Sequence, residues 1–152
     1  MKALLTKTYA GLVPSEPKSK DWYDKLKPGE VVSAEVKKVR NLAFHKKYFA
    51  LMNIAFDNWT PGEINSKYGT PEKNFDRFRA DCTILAGFYE TVIRLDGSVR
   101  VEPKSISFSN MEEDVFNDLY QRTIDVLIKH VYNSKVSQEE IEKTVQLYLD
   151  FT

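Results

Sequence analysis

The chain has 152 residues, with 22 Lys plus Arg set against 22 Asp plus Glu, a balance that excludes a histone-like or wholly basic nucleic-acid binder. A chain of this length buries about 68 to 70% of its unfolded surface as one domain, so a core forms without staples. The one cysteine, Cys82, excludes an internal disulfide; no apolar run reaches the ~18 residues that span a bilayer, and the composition reads as a soluble, unprocessed protein of a reducing cytoplasm.

ALLTKT opens the chain as a short strand, and GLVPSEPKSK behind it carries turn residues. SKDWYDKL suits a short helix capped by Ser19 and ended by Pro28-Gly29. EVVSAEVKKVR alternates Val32, Ala34 and Val36 against Ser33, Glu35 and Lys37, the pattern of a half-buried strand. Asn41 then caps a helix whose apolar residues Phe44, Tyr48, Leu51, Met52, Ala55 and Trp59 recur at helical spacing. Phe49 and Phe56 widen that stripe and leave Lys46, Ala50, Asn53 and Asp57 as a narrow outer strip, so this helix belongs at the centre of the core.

Thr70-Pro71 reads as an N-cap with proline at the first helical position, opening a helix that runs to Gly87. FYETVIRLDGSVRVE is two β-prone runs joined across Asp96-Gly97, a hairpin signal compatible with a two-residue turn or a three-residue turn with a bulge. A long helix follows, capped by Ser109 with Glu112 or by Asn110 with Glu113, and carries its apolar face to about Tyr132. A second capping box, Ser137 with Glu140, begins a last helix facing inward through Ile141, Val145, Tyr148 and Leu149. The blocks of strands and helices define an α+β class: one domain over 1–152, a small antiparallel sheet including a hairpin at about 88–102, three to four helices, and a C-terminal helical extension at 133–152.

Charge is segregated along the chain. Lys37, Lys38, Arg40, His45, Lys46 and Lys47 lie together with no acid among residues 37–47, whereas EEDVFND at 112–118 is acidic. Two histidines and one cysteine without ligand spacing do not make a zinc site, and Cys82 within a helical apolar run reads as a small packed hydrophobe. Glu35-Val36-Lys37 has the E-x-K spacing of one metal-dependent nuclease superfamily, but the further acid such a site needs on a neighbouring strand is missing. No metal or other cofactor is implied.

The basic segment is richer. Lys38 and Arg40 lead to helix N-terminal amides which, with Lys46 and Lys47, form a natural phosphate site. His45 suits a phosphate contact or a hydrogen-bonded structural role, and Tyr48 stacks on a base or packs in the core. Arg77, Arg79, Arg94, Arg100 and Lys104 extend a basic track or solvate the surface. Lys104 with Ser105, Ser107 and Ser109 leads into another helix N-terminus, a second anion-friendly segment.

GEVVSAEVKKVRNLAFHKKYFALMN, NFDRFRADCTILAGFYETV and DGSVRVEPKSISFSNMEEDVFNDLY together resemble a bacteriophage and prophage family of conserved proteins without assigned function, over about residues 10–132. Arg40, Asn41, His45, Lys47, Phe49, Ala50 and Leu51 carry the first part of that pattern, and Pro103, Lys104, Ser105, Ile106 and Phe108 the second. More remotely, the layout is similar to the NinB/Orf recombination proteins of lambdoid phages, with Lys38, Arg40, Asn41, Lys47 and Tyr48 matching a basic turn and helix. Lys104, Ser105, Ser107, Ser109 and Met111 match a later Ser-rich segment. The longer N-terminal region and the helix after Ser137 depart from that pattern.

That second resemblance implies a homodimer that binds single-stranded DNA and helps recombinases load on strands coated by single-strand binding protein. Taken with the basic corner, the expectation is a phage-encoded protein that binds single-stranded or branched DNA without catalysis in the bacterial host cytoplasm, beside a host single-strand binding protein or recombinase and with no membrane partner. The DNA contacts expected are Lys37, Lys38, Arg40, Asn41, His45, Lys46, Lys47, Tyr48, Lys104 and Ser105. The alternative expectation is a protein-interaction module that modulates a host replication, repair or defence protein through the acidic helix from Met111.

Overall fold

A computed structural model describes residues 3–37, 41–106 and 111–151. The fold is α+β, with five helices and two separate two-stranded antiparallel ribbons among the described residues. The chain divides into two compact units, Met1–Val36 and Lys37–Thr152.

In the first unit, β1 (Leu5–Thr8) pairs with β2 (Gly11–Pro14), Leu5 opposite Pro14 and Thr8 opposite Gly11. GLVP is thus a strand rather than a turn; its turn chemistry lies just ahead, where Thr8 Oγ1 accepts from the Ala10 N–H at 3.2 Å and donates to the Gly11 carbonyl at 3.0 Å. Helix α1 (Pro17–Tyr23) begins with proline in its first turn and has Glu16 as N-cap, the place where a missing N–H costs least. Ser19, expected as the cap, is instead buried. Its hydroxyl accepts from the Leu4 N–H at 2.8 Å and donates to Glu16 Oε1 at 3.1 Å, tying strand to helix.

The valine-rich segment expected as a half-buried strand is not one. Residues 31–37 have no regular structure and all are exposed. Alternation alone does not make a strand: its backbone groups need a partner edge, and among the described residues none pairs with this segment. Glu35 and Lys37 therefore do not stand on a sheet, as the E-x-K arrangement requires.

The second unit is built around α2 (Leu42–Asn58), whose Asn41 cap accepts from the Ala43 and Phe44 amides at 3.0 and 3.2 Å. Tyr48, Ala50, Leu51, Met52 and Ala55 are buried along it, so Ala50 belongs to the core and not to the outer strip. A helix apolar on most sides needs cover from several neighbours. These are α3 (Phe75–Leu85), α4 (Glu113–His130) and α5 (Gln138–Phe151), which contribute Phe78 and Cys82, then Phe116, Leu119, Tyr120, Ile124 and Leu127, then Ile141 and Val145. Each fully buried large side chain contributes about 1.5–3 kcal/mol. Helix α5 packs against α2 and places Ile141 and Val145 inside, so the C-terminal helix is part of this core.

Helix α3 starts at Asn74, whose side chain accepts from the Arg77 N–H at 2.8 Å, and not at Thr70-Pro71. The residues before it are used differently. Lys73 Nζ donates to the Trp59 carbonyl at 2.8 Å and to the Phe56 carbonyl, closing the end of α2, whose last turn holds no basic residue of its own. Helix α3 ends in a Schellman turn: Gly87, at φ +93°, donates to Ile84 and Phe88 donates to Thr83, the left-handed position that glycine fills without strain.

The hairpin is present as β3 (Tyr89–Ile93) and β4 (Val99–Pro103), with Ile93 opposite Val99. Its turn is the three-residue form. The Gly97 N–H donates to the Arg94 carbonyl, the Arg94 N–H to the Ser98 carbonyl, and Gly97 sits at φ +85°. The N-cap of α4 is Glu112, without a side-chain cap bond; Ser109 and Asn110, on which the two expected capping boxes rest, lie outside the described residues. The second box is present, with the Ser137 N–H donating to Glu140 Oε2 and the Glu140 N–H to Ser137 Oγ, both at 3.2 Å. Among the described residues no helix is long and apolar enough to cross a membrane.

Asn41→Ala removes the cap of the central helix. It is expected to lower stability by about 1 kcal/mol in denaturant titrations followed by far-UV circular dichroism, and an unchanged midpoint would contradict the role of the cap.

Candidate nucleic-acid interface

The expected DNA contacts have separate fates. Asn41, His45, Lys46, Lys47 and Tyr48 lie at the start of α2. Lys38 and Arg40 lie outside the described residues, and Lys37 is exposed just before them. Lys46 is exposed on the first turns of α2, which contain no acid. A lysine there leaves the positive end of the helix dipole uncompensated, an arrangement that disfavours the bare helix slightly and favours an anion.

Lys47 turns inward. Its Nζ lies 3.2 Å from Glu142 Oε2 on α5 and 5.0 Å from the centre of the Tyr120 ring. It is held by an ion pair that ties α5 to the start of α2 and by a cation–π contact with Tyr120 of α4. The Tyr120 hydroxyl is correspondingly held above its ordinary pKa, first by burial and then by the Glu142 charge.

Tyr48 is fully buried. Its ring packs against Phe49 and Phe116, with centroids 5.3 Å away in each case. Burial pushes its hydroxyl pKa up, opposed by neighbouring Thr83 and Arg79. Of the two uses expected for Tyr48, the structure displays packing, and no face of the ring is open to a base. His45 is half-buried with its ring 4.7 Å from that of Phe49, so one flank of the imidazole is covered by the same aromatic cluster.

Two of the four α2 amides that a phosphate would seek are taken by the Asn41 side chain. An anion at this corner would therefore meet lysine side chains more than backbone N–H groups. Lys104 and Ser105 are exposed after β4, the Lys104 N–H continuing the ribbon to the Phe88 carbonyl at 3.0 Å. Of the wider basic track, Arg77 pairs with Asp81 one turn along α3 and Arg100 with Glu102 at 3.1 Å, while Arg79 lies 5.9 Å from the Phe49 ring.

Sequence reasoning missed Glu142. Its only local signal was an acid on the same side of a predicted helix as Ile141 and Val145, and pairing with Lys47 across 95 positions is a tertiary fact. Among the described residues no group of three or more His, Cys, Asp or Glu side chains could hold a metal. Cys82 is buried in α3, and burial raises its thiol pKa to about 12, the Asp81 charge adding to the effect.

With an α+β fold and a basic corner at the start of a buried helix in place, comparison with known proteins supplies the family. The chain belongs to the family described as "Protein of unknown function (DUF1367)", which matches residues 2–67 and 62–151. No curated protein and no solved structure matches it.

A double-mutant cycle on Lys47→Met and Glu142→Gln is expected to give a coupling of roughly 0.5 kcal/mol in stability, the scale of a partly exposed pair; zero coupling would mean the pair is incidental. Cys82 is expected to resist iodoacetamide at about pH 8 in the folded protein and to react on unfolding, because the reactive thiolate is suppressed. Equal labelling rates in the two states would contradict its placement.

Proposed function

We propose that this chain is a phage-encoded, non-catalytic accessory protein of recombination or replication that binds single-stranded DNA through the corner at the start of α2, in the cytoplasm of a bacterial host. The observation that carries the reading is a helix N-terminus with no acid in its first turn and with Lys46 exposed upon it. Exposed Lys37 precedes it, and Lys38 and Arg40 fall between in the sequence. Anionic backbone is the ligand such a corner suits. With Tyr48 inside the core and Lys47 engaged by Glu142, the contacts are with phosphates and the binding is indifferent to base sequence. Lys104 and Ser105 supply a second phosphate contact.

A second reading is favoured by the exposed acids Glu112 and Asp114 at the start of α4. They would form the contact face for a host replication, repair or defence protein.

Fluorescence anisotropy with a labelled oligonucleotide separates the two. If Lys37, Lys38, Arg40, Lys46 and Lys104 each neutralise one phosphate, log affinity falls against log salt with a slope of about −3.5 for single strands. Lys37→Glu with Lys46→Glu should weaken binding at least about tenfold and flatten that slope by about 1.4. A flat salt response in the unmodified protein sinks the DNA reading. Partner binding lost on Glu112→Lys with Asp114→Lys, yet kept on reversal of the lysines, supports the second.

A further inference from the structure

The β3–β4 ribbon is the most exposed regular structure of the second unit. Every residue of β3 is exposed, as are Val99, Arg100 and Val101 of β4. Two-stranded ribbons are marginal in water by themselves, and an open strand edge is a template for another strand. The hydrogen bonds identify which groups are open. The Arg94 N–H donates to Ser98 and the Lys104 N–H to Phe88, so in an antiparallel ladder the even-numbered residues of β3 bond to β4. The backbone groups of Thr91 and Ile93 therefore point away from β4, along an edge that has no strand beside it among the described residues. The other edge is blunted: β4 lies beside α3, and Pro103 has no N–H to offer.

The side chains show what fits that edge. On one face of the ribbon Tyr89, Thr91, Ile93, Val99 and Val101 carry no charge. On the other, Glu90 and Arg94 flank Val92, and Glu90 stands opposite Glu102, a like-charge pair. Arg100 pairs with Glu102 at 3.1 Å, whereas among the described residues neither the Glu90 nor the Arg94 side chain has an ion-pair partner. They cannot pair with each other, lying about 13 Å apart along the strand.

We propose that the open edge of β3 pairs antiparallel with the same edge of a second copy of this chain, across a two-fold axis at Val92, giving a continuous four-stranded sheet. In this register the Thr91 backbone exchanges hydrogen bonds with the second copy's Ile93, and Ile93 with its Thr91. Val92 meets Val92, and each Glu90 stands directly opposite an Arg94, in the non-hydrogen-bonded pairing where side chains approach most closely. Displacing the second copy by four residues in either direction would set Glu90 against Glu90 or Arg94 against Arg94. The charges thus select one register, and they are complementary only to a strand of opposite sense with the same spacing, which this chain itself supplies. The inference is independent of the DNA-binding reading.

Sedimentation equilibrium on the full chain tests it. The edge is five residues long, a small interface, so dissociation is expected on the order of 10 µM. Glu90→Arg and Arg94→Glu should each weaken the dimer about tenfold, and the double charge swap should restore it to within about threefold. Thr91→Pro, which removes an outward N–H that the ribbon does not use, should leave a monomer, while Val101→Pro on the blunted edge should still dimerise. A monomer at all concentrations up to about 1 mM, or a dimer indifferent to Thr91→Pro, overturns the proposal. So does equal loss in the two proline variants, which would make the integrity of the ribbon the determinant. Should Thr91→Pro fail to fold by circular dichroism, the three charge variants decide: a double swap that does not recover dimerisation overturns the proposal.

Discussion

A helix that is apolar around most of its circumference must be enclosed, and that requirement on α2 organises the larger unit of this protein. Tyr48, Leu51, Met52 and Ala55 have essentially no exposure. No single neighbour covers so wide a stripe, which is why three further helices converge on it. The enclosure extends to the first turn, where Phe44 meets Phe116 edge-on at 4.9 Å and Tyr120 at 5.4 Å. The basic end of α2 is thereby set beside the beginning of α4 by apolar packing, whatever the charges prefer.

The same packing sorts the basic residues. Lys46 and Lys47 are adjacent and chemically identical, yet a helical step of about 100° sends one to solvent and the other toward α5. There Lys47 meets Glu142 and the face of Tyr120. A cluster that looks uniform in a linear sequence is divided by helical geometry into a solvent-facing group and a structural one. Long basic side chains are suited to the structural role, because the stem covers apolar surface while the head reaches an acid.

What was legible in the sequence was what short-range chemistry controls. Asn41, the Ser137–Glu140 box and the Asp96-Gly97 turn each act within a few residues of themselves, and each is where local rules put it. The failures have a common cause in contacts between distant residues. Ser19 has the chemistry of a cap but is occupied by the Leu4 amide. Thr70-Pro71 has the form of a helix start but precedes a lysine needed elsewhere, and residues 31–37 have the alternation of a strand with no edge to join among the described residues. The candidate site was read in the same way: the clustering of basic residues ahead of and within the start of α2 is plain in the chain, while the inward turn of Lys47 and Tyr48 depends on α4 and α5.

Lys73 has a consequence for how the chain tolerates change. By holding the carbonyls at the end of α2 from a position just ahead of α3, it fastens the two ends of the intervening segment together. The residues between Thr60 and Glu72 then form a closed surface excursion whose length bears weakly on the helices it joins, since loop entropy grows only slowly with added residues. The two stretches matched by the family overlap at residues 62–67, inside that excursion. The break in the match thus falls where the architecture is least sensitive to how many residues are present, and an inserted tag or reporter would find its most permissive position there.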